Sequence, residues 1–118
     1  MFKLIVAGSR DFNDYDLVCS SLDKLLQNIN DEICIISGAA RGADKLGERY
    51  ALEKGYVISS HPAKWDELGK KAGYIRNVEM AEEGDALALF WDGESKGSKH
   101  MYDIAKKYGL KIRVITYK

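Results

Sequence analysis

The chain has 118 residues, 46% of them hydrophobic and 31% charged, and its 18 basic and 18 acidic side chains leave no net charge. This length suits one domain with one hydrophobic core, and the composition excludes an intrinsically disordered chain. A neutral molecule exerts no long-range attraction on nucleic acid or on an anionic membrane. The apolar runs are too short for a membrane span or a secretory signal. We therefore expect a cytoplasmic protein that forms a single domain over residues 1–118.

Five short apolar runs alternate with amphipathic stretches, a pattern typical of parallel strands joined by helical crossovers. The predicted strands are Phe2 to Ala7, Ile33 to Ser37, Tyr56 to Ser60, Ala86 to Trp91 and Lys111 to Thr116. The predicted fold class is therefore α/β, a Rossmann-like three-layer sandwich with a five-stranded parallel sheet flanked by helices.

Apolar residues at three- and four-residue steps predict the helices between these strands. The first helix has an apolar face formed by Val18, Leu22, Leu25, Leu26 and Ile29, and the other helices are placed near 43–54, 66–83 and 98–108. Asn13 or Asp14 can cap the first helix, and Ser98 can cap the last. In the third, Gly69 and Gly73 make an interruption plausible. The residues of this region that can face inward are Leu68, Ala72, Ile75 and Met80, and His100 is expected on an exposed face of the last helix.

Each of the first four strands is followed by a loop of unusual composition. In an open parallel sheet, ligands bind beyond the carboxyl ends of the strands. These loops begin at Gly8, Ser37, His61 and Asp92. We therefore expect all four loops to meet on one rim of the sheet.

The loop at 37–44 is the sharpest candidate for an anion site. Gly38 and Gly42 let the backbone approach a ligand, amides at the helix start can donate to phosphate, and Arg41 can add a charge-assisted contact. Alternatively, the glycines only make a tight turn, and the local sequence weighs both interpretations evenly. The loop matches neither the G-x-G-x-x-G fingerprint nor the Walker A pattern, which disfavours nicotinamide dehydrogenases and NTPases. We predict no cofactor and no metal, since the two cysteines also lack metal-site spacing.

The loop at 92–98 has a similar form and can hold a second phosphate or a ribose, with Asp92 as an acceptor for ribose hydroxyls. The alternative is a flexible turn capped by Ser98. The segment also spells G-x-S-x-G, the nucleophile-elbow pattern. We discount an elbow because the helix begins too late and no convincing aspartate and histidine partners follow.

Other polar and aromatic residues give weaker signals. His61 lies on the predicted rim and can bond a ligand. Trp65 and Trp91 can each stack on a base, although an aromatic residue near a strand end more often belongs to the core. On local grounds alone, Arg76 and Asn77 are ordinary solvated residues of a helix.

Four spaced motifs together point to one family. They are GSRDF at 8–12, SGAARGAD at 37–44, Trp65 followed by GYIRNVEM at 73–80, and FWDGESKGSKHM at 90–101. This set resembles the YspA/YpsA-like branch of the SLOG superfamily, named after the DNA-processing protein Smf/DprA and the LOG phosphoribohydrolases. The resemblance runs from about Lys3 to Val114. It implies a sheet order of 3-2-1-4-5 and a pocket for a nucleotide or nucleotide derivative, such as a nucleoside phosphate or an ADP-ribose-like molecule.

The resemblance also gives Arg76 a role, since the corresponding arginine of LOG enzymes assists at the N-glycosidic bond. Arg76 is thus the candidate catalytic residue. Local chemistry and the resemblance together predict these ligand-binding residues: Gly8, Ser9, Arg10, Ser37, Gly38, Arg41, Gly42, Asp44, Trp65, Asn77, Trp91, Asp92, Gly93, Ser95, Gly97 and Ser98.

One position departs from the LOG phosphate motif, where the last residue is a catalytic glutamate and this chain has Met101. A thioether cannot accept a proton or stabilise an oxocarbenium-like centre, which argues against the LOG mechanism. Asp44, Asp92 and Glu94 are rim carboxylates that can substitute, and the sequence does not select among them. Binding by a sensor or carrier is therefore the favoured function, and a hydrolase of an N-glycosidic or phosphate bond is the alternative.

A third hypothesis is single-stranded DNA binding in the manner of DprA, with Trp65 as a stacking platform. The zero net charge makes nucleic acid the least favoured partner. No membrane partner is expected. Related superfamily members often form dimers, so a homodimer is a further prediction.

Overall fold

Five parallel strands form the central sheet of the computed structural model, which describes residues 1–117 and leaves Lys118 outside the described part of the chain. The strands are β1 (Phe2–Gly8), β2 (Ile33–Ser37), β3 (Val57–Ser60), β4 (Ala86–Trp91) and β5 (Lys111–Thr116). Their order is β3-β2-β1-β4-β5. Both the predicted α/β class and the order implied by the resemblance are confirmed.

The helices follow the predicted crossovers. They are α1 (Tyr15–Leu26), α2 (Ala43–Lys54), α3 (Trp65–Leu68), α4 (Ala72–Glu83) and α5 (Lys96–Lys107). The third helical region is interrupted at the first of its two glycines, because Gly69 has a φ of +63° and begins a 3₁₀ turn over Gly69–Lys71. The second glycine, Gly73, lies inside α4 without breaking it.

Two details of the predicted helices are wrong. Helix α5 begins at Lys96, two residues before the predicted start, because the Ser95 hydroxyl accepts a hydrogen bond from the Ser98 amide and is therefore the N-cap. In α4, Ile75 is 38% exposed, whereas Asn77 is buried with Met80. The inner face of α4 therefore includes the polar side chain of Asn77.

Different helices cover the two faces of the sheet. Alternate residues of the central strands point to opposite sides, as the pleat requires. One apolar cluster, which includes Val6 and Phe90, joins the sheet to α1 and α2. The other, which includes Ile5 and Leu89, joins it to α4 and α5. The strands β1 and β4, which lie inside the sheet, are therefore packed against helices on both faces.

None of the helices in residues 1–117 combines the length and the apolar character of a membrane span.

Candidate functional site

A cleft of about 420 Å³ opens beyond the carboxyl ends of β1 and β4. The strand order changes direction between these two strands, since β2 and β3 lie on one side and β5 on the other. Such a switch point is where open α/β sheets bind ligands. The predicted site residues in the cleft wall are Gly8, Ser9, Arg10, Arg41, Asp44, Trp65, Arg76, Asn77, Asp92, Ser95, Gly97 and Ser98.

A second cavity, of about 570 Å³, lies beside the first. It shares Arg10, Arg41, Trp65 and Arg76 with the cleft and adds Gly38. The remaining predicted residues line neither cavity; these are Ser37, Gly42, Trp91 and Gly93.

Ser9 joins three of the rim loops. Its amide donates to the Phe90 carbonyl over 3.0 Å, and its carbonyl accepts from the Ala43 amide over 3.3 Å. Its hydroxyl accepts from the Asp92 amide over 3.2 Å. Ser9 is also 2% exposed. Its role in the structure is therefore to hold the loops after β1, β2 and β4 in fixed relative positions.

The loop after β2 is held from inside by Ser37. The buried Ser37 hydroxyl lies 2.6 Å from Oε2 of Glu48 and accepts from the Ala39 amide over 3.0 Å. Ala39 has a φ of +61°, a conformation that side chains other than glycine rarely adopt. Gly42 follows with a φ of +83°, and a Cβ there would overlap the backbone of Ser9. These residues shape the loop, and its Gly38 and Arg41 reach the cavities.

Arg76 is fixed across the cleft by two hydrogen bonds. Its Nη1 donates to the Gly38 carbonyl over 2.5 Å, and its Nε donates to Oδ1 of Asn77 over 3.1 Å. Burial lowers the pKa of Arg76, while Asp44 opposes this shift. A guanidinium stays charged at neutral pH even so. The cleft thus holds a positive charge whose plane is set by the protein.

Asn77 links Arg76 to α5. Its Nδ2 donates to the Gly97 carbonyl over 3.4 Å and lies 3.1 Å from Nδ1 of His100. The prediction that His100 is exposed is wrong. Its ring is half-buried, because it packs 4.5 Å from the ring of Tyr74 and contacts Asn77.

Asp44 is a buried carboxylate in the cleft wall, with 5% of its surface exposed. Burial raises its pKa to about 6, against the opposing effects of Arg76 and the hydrogen bond from the Ala40 amide. Asp44 and Arg76 approach Gly38 closely. A Cβ added there would lie 2.8 Å from Oδ2 of Asp44 and 2.5 Å from Nη1 of Arg76. A side chain at position 38 would therefore require Arg76 or Asp44 to move.

The loop after β4 is organised by Asp92, whose Oδ1 accepts from the amides of Glu94 and Ser95 over 2.8 and 2.9 Å. Trp91 donates from Nε1 to the Ser95 carbonyl over 3.1 Å and packs against the core, which agrees with the simpler of its two interpretations. The loop therefore delivers the start of α5 to the cleft in a defined position.

Ser98 lies in the first turn of α5 and lines the cleft. Its side chain is buried, with 4% of the residue exposed, and within residues 1–117 its hydroxyl has no hydrogen-bond partner. Buried hydroxyls in proteins are nearly always partnered, because an unmet one costs about 1–3 kcal/mol. This hydroxyl is therefore suited to receive a ligand atom.

Arg10 and Trp65 stand at the mouth of the site. Trp65 is 47% exposed, and the Arg10 guanidinium lies 5.8 Å from the centre of its ring. His61, which was predicted to face the rim, lines neither cavity. Its Nε2 lies 2.7 Å from Oε1 of Glu83 instead.

Sequence reasoning missed several residues of the cleft wall: Asp11, Ala40, Lys70, Tyr74 and Met80. Lys70 and Tyr74 come to the cleft because the chain turns at Gly69, and the exact path of such a turn is not encoded in periodicity. Met101, noted for the missing glutamate, does line the cleft and is 1% exposed. In the described part of the chain, no three His, Cys, Asp or Glu side chains are grouped as metal ligands would be.

Comparisons with known proteins identify the family of this chain. Residues 2–67 match the model of the YspA, cpYpsA-related SLOG family, YAcAr. The Gene 61 protein of Mycobacterium phage D29 is 33% identical over 118 residues, which cover 95% of this chain and 94% of the phage protein. The chain belongs to the YspA, cpYpsA-related SLOG family. No solved structure matches it.

Membership of the SLOG family suggests a nucleotide-related role, either in binding or in processing. The segment matched by the family model contains the loops after β1 and β2 and reaches Trp65. Arg76, Asn77 and the start of α5 lie beyond that segment. All three border the cleft in the structure.

Proposed function

We propose that this SLOG domain binds a nucleotide-derived ligand as a sensor or carrier, with a phosphate of the ligand at the start of α5 beside Arg76. The observation that carries the proposal is that Ser98 lines the cleft and that its buried hydroxyl has no hydrogen-bond partner in residues 1–117. A phosphate oxygen would supply that partner. The N-terminus of a helix of 12 residues also favours an anion.

Arg76 supports the same location. Its Nε and Nη1 are bonded to Asn77 and Gly38, so the guanidinium is oriented before a ligand arrives. A charged donor held in this way binds phosphate without first losing side-chain freedom. Asn77 contacts both Arg76 and the first turn of α5, which keeps the two phosphate-binding elements together.

The rest of the cleft suits a nucleoside. Asp11, Asp44 and Asp92 line it and can accept hydrogen bonds from ribose hydroxyls. The exposed face of Trp65 is available for stacking on a base. The cavity volume of about 420 Å³ lies within the usual range of ~300–1,000 Å³ for small-molecule sites.

Asp44 favours a second candidate function, hydrolysis of the bound nucleotide. Among the rim carboxylates, Asp92 is held by two backbone amides, and Glu94 is not in the cleft wall. Asp44 lines the cleft, and burial raises its pKa to about 6, close to the value that suits a general acid or base at neutral pH. In this alternative Asp44 would take the part that Met101 cannot.

The proposed function is tested by titrating nucleoside 5′-monophosphates into the wild-type protein and into Arg76→Ala, with product analysis of each mixture. We expect saturable binding that weakens at least tenfold, about 1.4 kcal/mol, in the variant. Arg49→Ala is the control, since Arg49 pairs with Glu53 on the exposed face of α2. Equal affinities in Arg76→Ala and wild type would contradict the proposal, and release of a free base would favour the hydrolase.

A further inference from the structure

The two cavities share one wall. The first has a volume of about 420 Å³ and the second of about 570 Å³. The residues that line both are Arg10, Ala40, Arg41, Trp65 and Arg76. A ligand that reaches this wall from the first cavity therefore has a second space open to it on the other side.

The shared wall is strongly basic. Three of its five residues are arginines. Arg10 and Arg41 are exposed, whereas Arg76 is half-buried and already oriented by its own hydrogen bonds. A monophosphate at Ser98 and Arg76 would leave Arg10 and Arg41 unused. A second phosphate, joined to the first through a bridging oxygen, would extend toward the shared wall that Arg10 and Arg41 line.

The two cavities differ in chemistry. The first contains the carboxylates of Asp11, Asp44 and Asp92, which suit the hydroxyls of a ribose. Apart from the shared wall, the second is lined by small residues and a proline, and none of the acidic residues within 1–117 borders it. The second cavity thus accepts a further group of the ligand and does not repel the negative charge that precedes it.

We infer, on the basis of the proposed function, that the ligand is a diphosphate-bridged nucleotide. Its nucleoside would lie in the first cavity and its diphosphate across the shared arginine wall. A second group, esterified to the far phosphate, would lie in the second cavity. The inference rests on the shared basic wall and on the acid-free space beyond it. Guanidinium groups bind successive phosphates well because each presents several donors.

The test compares the affinities of AMP, ADP and ADP-ribose, and of UMP, UDP and UDP-glucose, for the same protein. In the adenine or the uracil series, whichever binds, we expect the nucleoside diphosphate to bind more tightly than the monophosphate. The affinity of the diphosphate ester should exceed that of the monophosphate at least about tenfold. Arg41→Ala should weaken diphosphate binding by a larger factor than it weakens monophosphate binding.

A blocking variant locates the second group. Ala63 lines the second cavity alone, in the loop between β3 and α3. Ala63→Trp should remove the gain made by ADP-ribose over ADP while AMP affinity stays within about twofold, and Ala63→Ser should keep that gain. Thermal unfolding of both variants checks that they are folded.

The outcomes separate the two claims. Monophosphate binding with no gain from the second group would overturn this inference and leave the proposed function standing. Failure of every mononucleotide and diphosphate ester to bind would contradict the proposed function itself. Tighter binding of a 3′,5′-linked oligonucleotide than of any diphosphate ester would overturn the inference in favour of a nucleic-acid strand.

Discussion

Arg76 donates a hydrogen bond from Nη1 to the Gly38 carbonyl over 2.5 Å, so α4 is joined to the loop after β2 across the mouth of the cleft. Asp44 approaches Gly38 as well, and no room remains there for a side chain. This contact sets the position of Arg76, which is half-buried in the wall of the cleft. Several properties of the protein should depend on it.

Gly38→Ala should displace Arg76. The added Cβ would lie 2.5 Å from Nη1 of Arg76 and 2.8 Å from Oδ2 of Asp44, closer than atoms can approach. Both atoms are the ends of side chains that can shift, so we expect a small loss of about 1 kcal/mol or less in the free energy of unfolding, together with weaker binding of nucleoside monophosphates because Arg76 is displaced. Urea denaturation and calorimetric titration measure the two effects.

Gly97→Ala is the matched control for stability, because a Cβ there meets nothing within 4 Å. It lies in the first turn of α5, where alanine is a better helix former than glycine. Its free energy of unfolding should match or exceed that of the wild type. A Gly38→Ala protein that keeps the wild-type affinity for nucleoside monophosphates would show that the contact at Gly38 does not position Arg76.

Asp44 should make stability depend on pH in the unusual direction for a carboxylate. Its pKa rises from 3.8 in the unfolded chain to about 6 in the fold, so the folded state binds the proton more tightly. The contribution of Asp44 to the free energy of unfolding therefore falls as the pH rises from about 4 to about 6. Above pH ~6 the folded protein bears the full free-energy cost of a buried, ionised Asp44.

Asp44→Asn should remove this cost. A rise of about two pKa units corresponds to about 3 kcal/mol. We therefore expect the free energy of unfolding of the variant to exceed that of the wild type by up to this amount at pH ~8, and the two to differ little near pH ~4. The measurement is the difference between the two free energies of unfolding across this range. A wild-type advantage at pH ~8 would mean that the Asp44 charge is stabilised by Arg76 more than burial destabilises it.

Trp65 should report ligand binding by fluorescence. Its ring is 47% exposed at the cleft mouth, whereas Trp91 is half-buried and donates to the Ser95 carbonyl. A nucleotide base stacked on Trp65 should change its emission, and Trp65→Phe should abolish that change with little effect on the free energy of unfolding. Trp91→Phe should retain the signal. A ligand response that depends on Trp91 instead would place the base elsewhere.

Much of the fold follows from the sequence because hydrophobic periodicity reports burial directly. The apolar runs located all five strands, and Gly69 marked the break between α3 and α4. Periodicity failed at Ile75 and Asn77 of α4. It placed the apolar Ile75 on the inner face of this helix, whereas the structure exposes Ile75 and buries the amide side chain of Asn77. The buried Asn77 side chain forms hydrogen bonds with Arg76 and with α5. A hydrophobicity pattern does not report such hydrogen bonds.

The candidate site was less accessible to sequence reasoning. Ser95 and Ser98 are both plausible helix caps, and only the course of the loop shows that Ser95 has this role and that the Ser98 hydroxyl is left over. Likewise, selecting Asp44 over Asp92 requires knowing that two amides already bind the Asp92 carboxylate. Both distinctions depend on contacts between segments, which motifs do not specify.

The most direct test of the account is a pair of serine variants measured for stability and for phosphate-ligand affinity. Ser98→Ala removes a buried hydroxyl that has no hydrogen-bond partner in residues 1–117. The ligand-free variant should therefore be at least as stable as the wild type. Its affinity for nucleoside monophosphates should fall about fivefold or more. Ser37→Ala removes a hydroxyl bonded to Glu48 and should show the reverse, a loss of about 1 kcal/mol in stability with affinity retained. Unchanged affinity in Ser98→Ala would contradict a phosphate at the start of α5.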